Sequence, residues 1–397
     1  MKKALLLPCL VLLCAACTKD LIPSNDKTLE GQTVQMPNVS GSAAKLFVLN
    51  EGGMGSNNST LDFLRFSDGN YVTGAFRKMN PDVAAGLGDV GNDIAVNGNE
   101  VWIVVNNSGI VEVISAIDET EIAAIPVPTP RNIAFDSKYA YVTSWAGAFA
   151  SGSYDSSGYY VITDSKNPKG VVYRIDLKTK KVDGSVEVGY QPEGIACYGG
   201  KLYVANSGGI SSQLPPNYAY DNAVSIIDTK SFSVTQTVEV QVNLKNVWSD
   251  GKGAIYVSTL GNYWDVHSGL YVLPVSNPAD VRLCCQYVSC AAISGNTIYT
   301  VGTDTEFDWN TYSKTYSVSS YTVNDYSTGT GNFKQYDAKL SGTPYGMSVL
   351  ETGYAPLLIV GDAGDYFNPG TVYCCDVDGD RFWSVTAGVC PGHFAIW

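Results

Sequence analysis

A chain of 397 residues could hold two or three ordinary domains, yet only 16 % of it is charged and it carries 40 Gly and 26 Tyr. That profile fits many short strands and turns and excludes a helical or disordered chain. A formal net charge of −13 repels phosphate backbones, and no basic stripe or RNA-binding signature offsets it, so nucleic acid is excluded as a partner.

Met1–Ala16 reads as a secretory signal peptide: Lys2 and Lys3, an apolar run over Ala4–Leu13, then small residues before Cys17. The run is too short for a mature membrane span. Cys14-Ala15-Ala16-Cys17 resembles a bacterial lipobox, with Cys14 where Leu or Val is usual, and makes Cys17 the expected lipid anchor. Thr18-Lys19-Asp20 resembles the charged tag of some surface-exposed lipoproteins. Residues 17–42, with Pro23, Asn25, Asp26, Gly31 and Pro37, are expected to form a flexible tether.

The folded domain is expected over 43–397. Phe47–Asn50, Leu61–Phe66 and Tyr71–Phe76 supply three strands. The clearest unit follows later, between Gly189 and Val240. There Gly194–Tyr198, Lys201–Ala205, Ala223–Asp228 and Ser233–Val240 read as four strands bounded by Gly, Asn, Asp or Ser. Its second strand, LYVAN at Tyr203, has counterparts at Phe47, Trp102, Tyr141, Tyr256, Tyr299 and Leu358, spaced 55, 39, 62, 53, 43 and 59 residues apart. Seven copies predict an all-β, seven-bladed propeller of four-stranded antiparallel blades, because a lone blade cannot bury both faces. The innermost strand missing from the first blade is assigned to His393–Trp397, so that the two chain ends close the ring.

Short turns such as Gly98-Asn99, Gly199-Gly200 and Gly295-Asn296 join first and second strands, whereas the links between second and third strands are long. These are 145–170, 207–221, 260–268, 303–314 and 362–370. They share a face with the segments leading into each innermost strand, which makes it the expected binding face. Aromatic residues concentrate there, among them Trp145, Tyr190, Tyr263, Trp264, Tyr345, Tyr366 and Phe367, interleaved with amides such as Asn57, Asn92, Asn206 and Asn243. That mixture suits a large, amide-rich or sugar-like ligand.

Catalytic chemistry is sparse. His267 and His393 stand alone in separate blades, with no HExxH or GxSxG pattern and no CxxC beyond the lipobox, so neither a metal centre nor a serine triad is expected. Asp362–Asp365 and Asp376–Asp380 read as solvated turns before they read as calcium loops. Beyond the leader and the anchor stand Cys197, Cys284, Cys285, Cys290, Cys374, Cys375 and Cys390, an odd number, read as mostly buried thiols. Strand alternation is expected to turn Cys284 away from Cys285, and Cys374 away from Cys375.

FVLNEGGMGSNNSTLDF, GLGDVGNDIAV, YAYVTSWAG, GYQPEGIACYGGKLYVANSGG, NAVSIID, TPYGM, NPGTVYCCD and GHFAIW together resemble the YncE-like propeller lipoproteins of Bacteroidetes, and among them the BtuG-like group. The resemblance implies an outer-membrane, surface-facing lipoprotein that captures cobalamin (vitamin B12) on its loop face. It also implies delivery to a TonB-dependent outer-membrane transporter, with no enzymatic activity and no cofactor beyond the transported ligand. Placed by topology, the implied ligand-binding residues are Asn57, Asp89, Asn92, Trp145, Tyr190, Gln191, Asn206, Tyr263, Trp264, Tyr345, Asp362, Tyr366 and His393, with His267 or His393 considered for cobalt. A glycan- or peptide-binding propeller of another nutrient-uptake locus is the alternative, and a propeller lyase or quinone-dependent dehydrogenase the third class.

Overall fold

The computed structural model describes residues 31–37, 39, 41–146, 152–154, 156, 160–162, 169–208, 220–262, 265–302 and 314–397. Seven antiparallel sheets form a ring of four-stranded blades, and in all but the first the strands run in sequence order from the axis outward. Blade 1 is Pro391–Ile396, Lys45–Asn50, Thr60–Arg65 and Asn70–Val72. Blades 2 to 7 begin at Gly91–Asn97, Pro130–Phe135, Pro192–Tyr198, Leu244–Ser249, Val288–Ser294 and Pro344–Leu350.

The second strands carry the repeat because each blade is packed on both faces. Their anchors Phe47, Trp102, Tyr141, Tyr203, Tyr256 and Leu358 are completely buried between neighbouring blades, and Tyr299 nearly so. Near the axis the blades approach too closely for side chains. A Cβ on Gly194 would stand 2.5 Å from the Val247 amide nitrogen, and one on Gly346 only 1.9 Å from the Gly392 carbonyl oxygen.

The ring closes as the sequence requires. Pro391–Ile396 pairs with Lys45–Asn50, with Leu46 opposite Ile396 and Leu49 opposite His393. A buried ion pair supports this joint: Lys45 Nζ lies 2.7 Å from Glu119 Oε1 and donates to the Ala116 and Ile117 carbonyls of blade 2. Its ammonium also faces the Phe63 and Trp397 rings at 5.1 and 5.7 Å.

Two segments differ from expectation. The strand predicted over Tyr71–Phe76 ends at Val72, where Gly74 (φ 62°) turns the chain into a short helix, Ala75–Met79, that sinks Phe76 into the core between blades 1 and 2. Part of the predicted tether is docked: Gln32–Thr33 pairs with Asn70–Tyr71 as a fifth strand, and Val39 bridges to Thr352. Polar composition hid the cause, which is that Val34, Met36 and Val39 pack on the core between blades 7 and 1.

Candidate functional site

Each innermost strand is entered by the same device. In six blades the residue just before it has left-handed φ without being glycine: Val90, Thr129, Gln191, Asn243, Tyr287 and Cys390. In blade 7 the role falls to Gly342 (φ 103°). Such backbone is strained for ordinary residues and persists only where surrounding structure holds it.

A β-bulge follows in the first turn of every innermost strand. The unpaired positions are Gly392, Asn92, Arg131-Asn132, Glu193-Gly194, Lys245-Asn246, Ser289 and Tyr345. A bulge bends the strand and re-aims its side chain. Residues from all seven bulges line one axial cavity of about 640 Å³ that opens at the ring centre.

The cavity wall is charged on two sides. On one, Glu51 accepts from the Tyr345 hydroxyl (2.5 Å) and pairs with His393 Nε2 (2.7 Å). Burial pushes the Glu51 carboxyl up, but the His393 bond and charge and the Tyr345 hydroxyl outweigh it, leaving Glu51 below its ordinary value. Burial also pushes up the Tyr345 phenol, and the Glu51 charge adds to the effect. Beside them burial raises the Asp93 carboxyl, against the opposing His393 charge and the amides of Ile133 and Ile94.

Across the ring Lys245, on the cavity wall, has its Nζ 3.6 Å from Glu193 Oε2, and buried Arg131 behind the wall donates twice to the same oxygen, at 3.1 and 2.9 Å. The Trp145 ring stacks on the Arg131 guanidinium at 4.4 Å. The mouth therefore presents carboxylate, amine, imidazole, phenol and amide groups together. It can bond both donors and acceptors of a polar ligand.

The structure divides the residues placed by topology. Asn92, Tyr345, Tyr366 and His393 line the axial cavity. Tyr366 is 47 % exposed, edge-on to Tyr345 at 5.7 Å. Tyr190 is exposed on the same face but stands outside the cavity wall, and Trp145 acts through Arg131. Asn57 lines a separate cleft of about 340 Å³ beside the short helix.

The others are spent inside the framework. Asn206 is completely buried and clamps Gly189, Ala223 and Ser225. Asp89 accepts from Gly55 and Asn107, and Gln191 is buried, its backbone carbonyl accepting from the Ser207 hydroxyl while its side-chain Oε1 meets no partner. Asp362 accepts the amides of Thr343 and Gly364, and the carboxylates of Asp365 and Asp376 cap turns in the same way. Short polar residues at bends meet local backbone first, which is why topology over-predicted them. His267 is exposed and stacks on Tyr287 at 4.7 Å, outside the axial cavity. Tyr263, Trp264 and Cys17 lie outside the described residues.

Glu51, Asp93, Arg131, Glu193 and Lys245 were missed. The last four fall at or beside the bulge of their blades, so aligning GND, PRN, PEG and LKN as one repeat position would have exposed them. Glu51 gives no such signal, because it follows a second strand.

No family model matches the chain, and no curated protein matches it. Solved structures do. The chain is similar to a functionally unknown protein from Desulfotomaculum acetoxidans, at 14 % identity and TM-score 0.57 over 89 % of this chain and 99 % of that one. It is similar to the hydrazine synthase of Kuenenia stuttgartiensis, at 18 % identity and TM-score 0.52 over 72 % and 77 %. A third similar structure is a quinoprotein alcohol dehydrogenase-like protein from Bacteroides thetaiotaomicron, at 12 % identity and TM-score 0.51 over 89 % and 78 %. At such identities the likeness is one of architecture: the chain is a seven-bladed β-propeller.

Proposed function

We propose that this propeller is a non-catalytic capture protein whose ligand is cobalamin, held over the axial mouth and passed to a TonB-dependent outer-membrane transporter. In this reading Cys17 carries the lipid that anchors the chain to the outer membrane, facing the cell exterior. The observation that carries the reading is the convergence of seven bulges on one open cavity, with charged and amide side chains on its wall and exposed Tyr190, Tyr366 and Phe367 on the surrounding face. A corrin ring with peripheral amides offers both donors and acceptors, and its edges offer area to aromatic rings. A cavity of about 640 Å³ takes part of so large a ligand, and the loop face takes the rest. Because the mouth is preformed, little ordering opposes binding.

Calorimetric titration of the purified chain with cyanocobalamin tests the reading. One-to-one binding is expected, weakened about 10- to 100-fold in Glu51→Gln and Tyr345→Phe, since each loses a hydrogen bond to a charged group. Absence of heat with an unshifted melting temperature would remove cobalamin and turn the search to glycans and peptides. Binding unaltered in both variants would move the ligand away from the axis.

A further inference from the structure

Cys284 and Cys285 are neighbours on Arg282–Gln286, the outermost strand of blade 5. Regular alternation would place them on opposite faces. The structure corrects that expectation. Pairing with Gly269–Pro274 puts Leu270 opposite Cys285 but Tyr271 opposite Leu283, so Cys284 is the extra residue of a β-bulge. Both thiols pack against one core cluster, around Tyr256, Tyr321 and Val323, and both line one cleft of about 310 Å³ between blades 5 and 6. Gly269 makes room for the distortion, since a Cβ there would stand 3.2 Å from the Cys285 carbonyl oxygen.

The other vicinal pair shows the contrast. Cys374 packs between blades 7 and 1, while Cys375 packs between blades 6 and 7. Alternation holds there, and the two side chains enter different core clusters.

We propose that Cys284 and Cys285 form a two-thiol binding site for a thiophilic monovalent metal ion, monovalent copper being the fitting chemistry. Soft sulfur donors select such ions, which two ligands satisfy. Among the described residues no group of three or more His, Cys, Asp or Glu is placed to hold a metal, so the pair does not meet the four-ligand demand of structural zinc. Both sulfurs are free thiols, half-buried at the cleft wall, which Thr300 also lines. The step is an exchange without electron transfer. Each thiol releases its proton to solvent, each sulfur donates an electron pair to the cation, and a bis-thiolate complex of charge −1 results. The acidic surface, at −13 overall, concentrates cations around the chain.

The test uses the reduced full chain under anaerobic conditions, titrated with monovalent copper against bicinchoninate. The Cys284→Ser/Cys285→Ser variant is expected to lose one equivalent that the Cys374→Ser/Cys375→Ser variant retains. Cys284→Ser alone is expected to weaken that equivalent at least about 100-fold, through loss of the second tethered donor. Equal uptake by the Cys284/Cys285 variant and the native chain would overturn the proposal. So would loss in the Cys374/Cys375 variant alone. A measurement on the native chain guards against misfolded variants: copper should slow iodoacetamide labelling of Cys284 and Cys285, read by peptide mass spectrometry, and unchanged labelling of both refutes the site.

Discussion

Replacing Glu112 with Gln should stabilise this protein in alkali and leave it nearly unchanged in acid. Glu112 lies in Ile110–Ser115, the third strand of blade 2, and is only 2 % exposed, with Oε1 lacking any partner. Burial, reinforced by the Glu121 charge, raises its carboxyl from 4.5 to about 8. Between these values the folded chain holds a proton that the unfolded chain has released, so stability falls as pH rises. The contribution is complete below 4.5 and gone above about 8. At about 1.4 kcal/mol per pH unit the gap is worth at most about 5 kcal/mol, and partial access of water reduces this toward about 2 kcal/mol. Gln mimics the protonated carboxyl in shape and carries no charge at any pH. For a chain of this length, where each kcal/mol moves the midpoint by about 1–2 °C, Glu112→Gln should raise the melting temperature by about 3–6 °C at pH 8.5. Near pH 4.5 the two proteins should melt within about 1 °C of each other. Other buried acids such as Asp62 and Asp93 titrate in both proteins and cancel from the difference. Thermal unfolding followed by circular dichroism at both pH values decides the matter. A difference that does not vary with pH, or a variant less stable in alkali, would refute the reasoning.

Lys45→Met should cost about 3–5 kcal/mol, read from denaturant midpoints, because it leaves Glu119 charged in a fully buried site. Adding Glu119→Leu should recover most of that loss, since an apolar pair removes the stranded charge. Gly194→Ala should lower the melting temperature by several degrees, since its Cβ would meet the Val247 amide nitrogen at 2.5 Å and backbone at the ring centre has nowhere to move. A Gly194→Ala variant as stable as the native protein would mean that the blades can slide apart at the axis.

The sequence by itself determined the architecture. Aromatic or aliphatic anchors from Phe47 to Leu358 recur because each second strand must be apolar on both sides, and that requirement is written locally, strand by strand. Ring closure was legible for the same reason: three strands at one end and an unpaired apolar strand at the other leave one arrangement without an open edge. Buried thiols were legible from composition and the absence of ligand spacings.

The site was decided by tertiary structure. Glu51, at the end of one strand, reaches His393 and Tyr345 only because the first and last residues of the ring meet. Asn206 and Asn92 look alike in sequence, yet one is consumed inside blade 4 and the other lines the axis. The difference lies in bulges and left-handed turns, where one extra residue reverses which way a side chain points. Cys284 and Cys285 make the same point: alternation predicts that they part, and a single register slip brings them together. Periodic burial survives averaging over a strand and can be read from sequence. A slip of one residue leaves composition and periodicity almost untouched, so only the folded pairing reveals it.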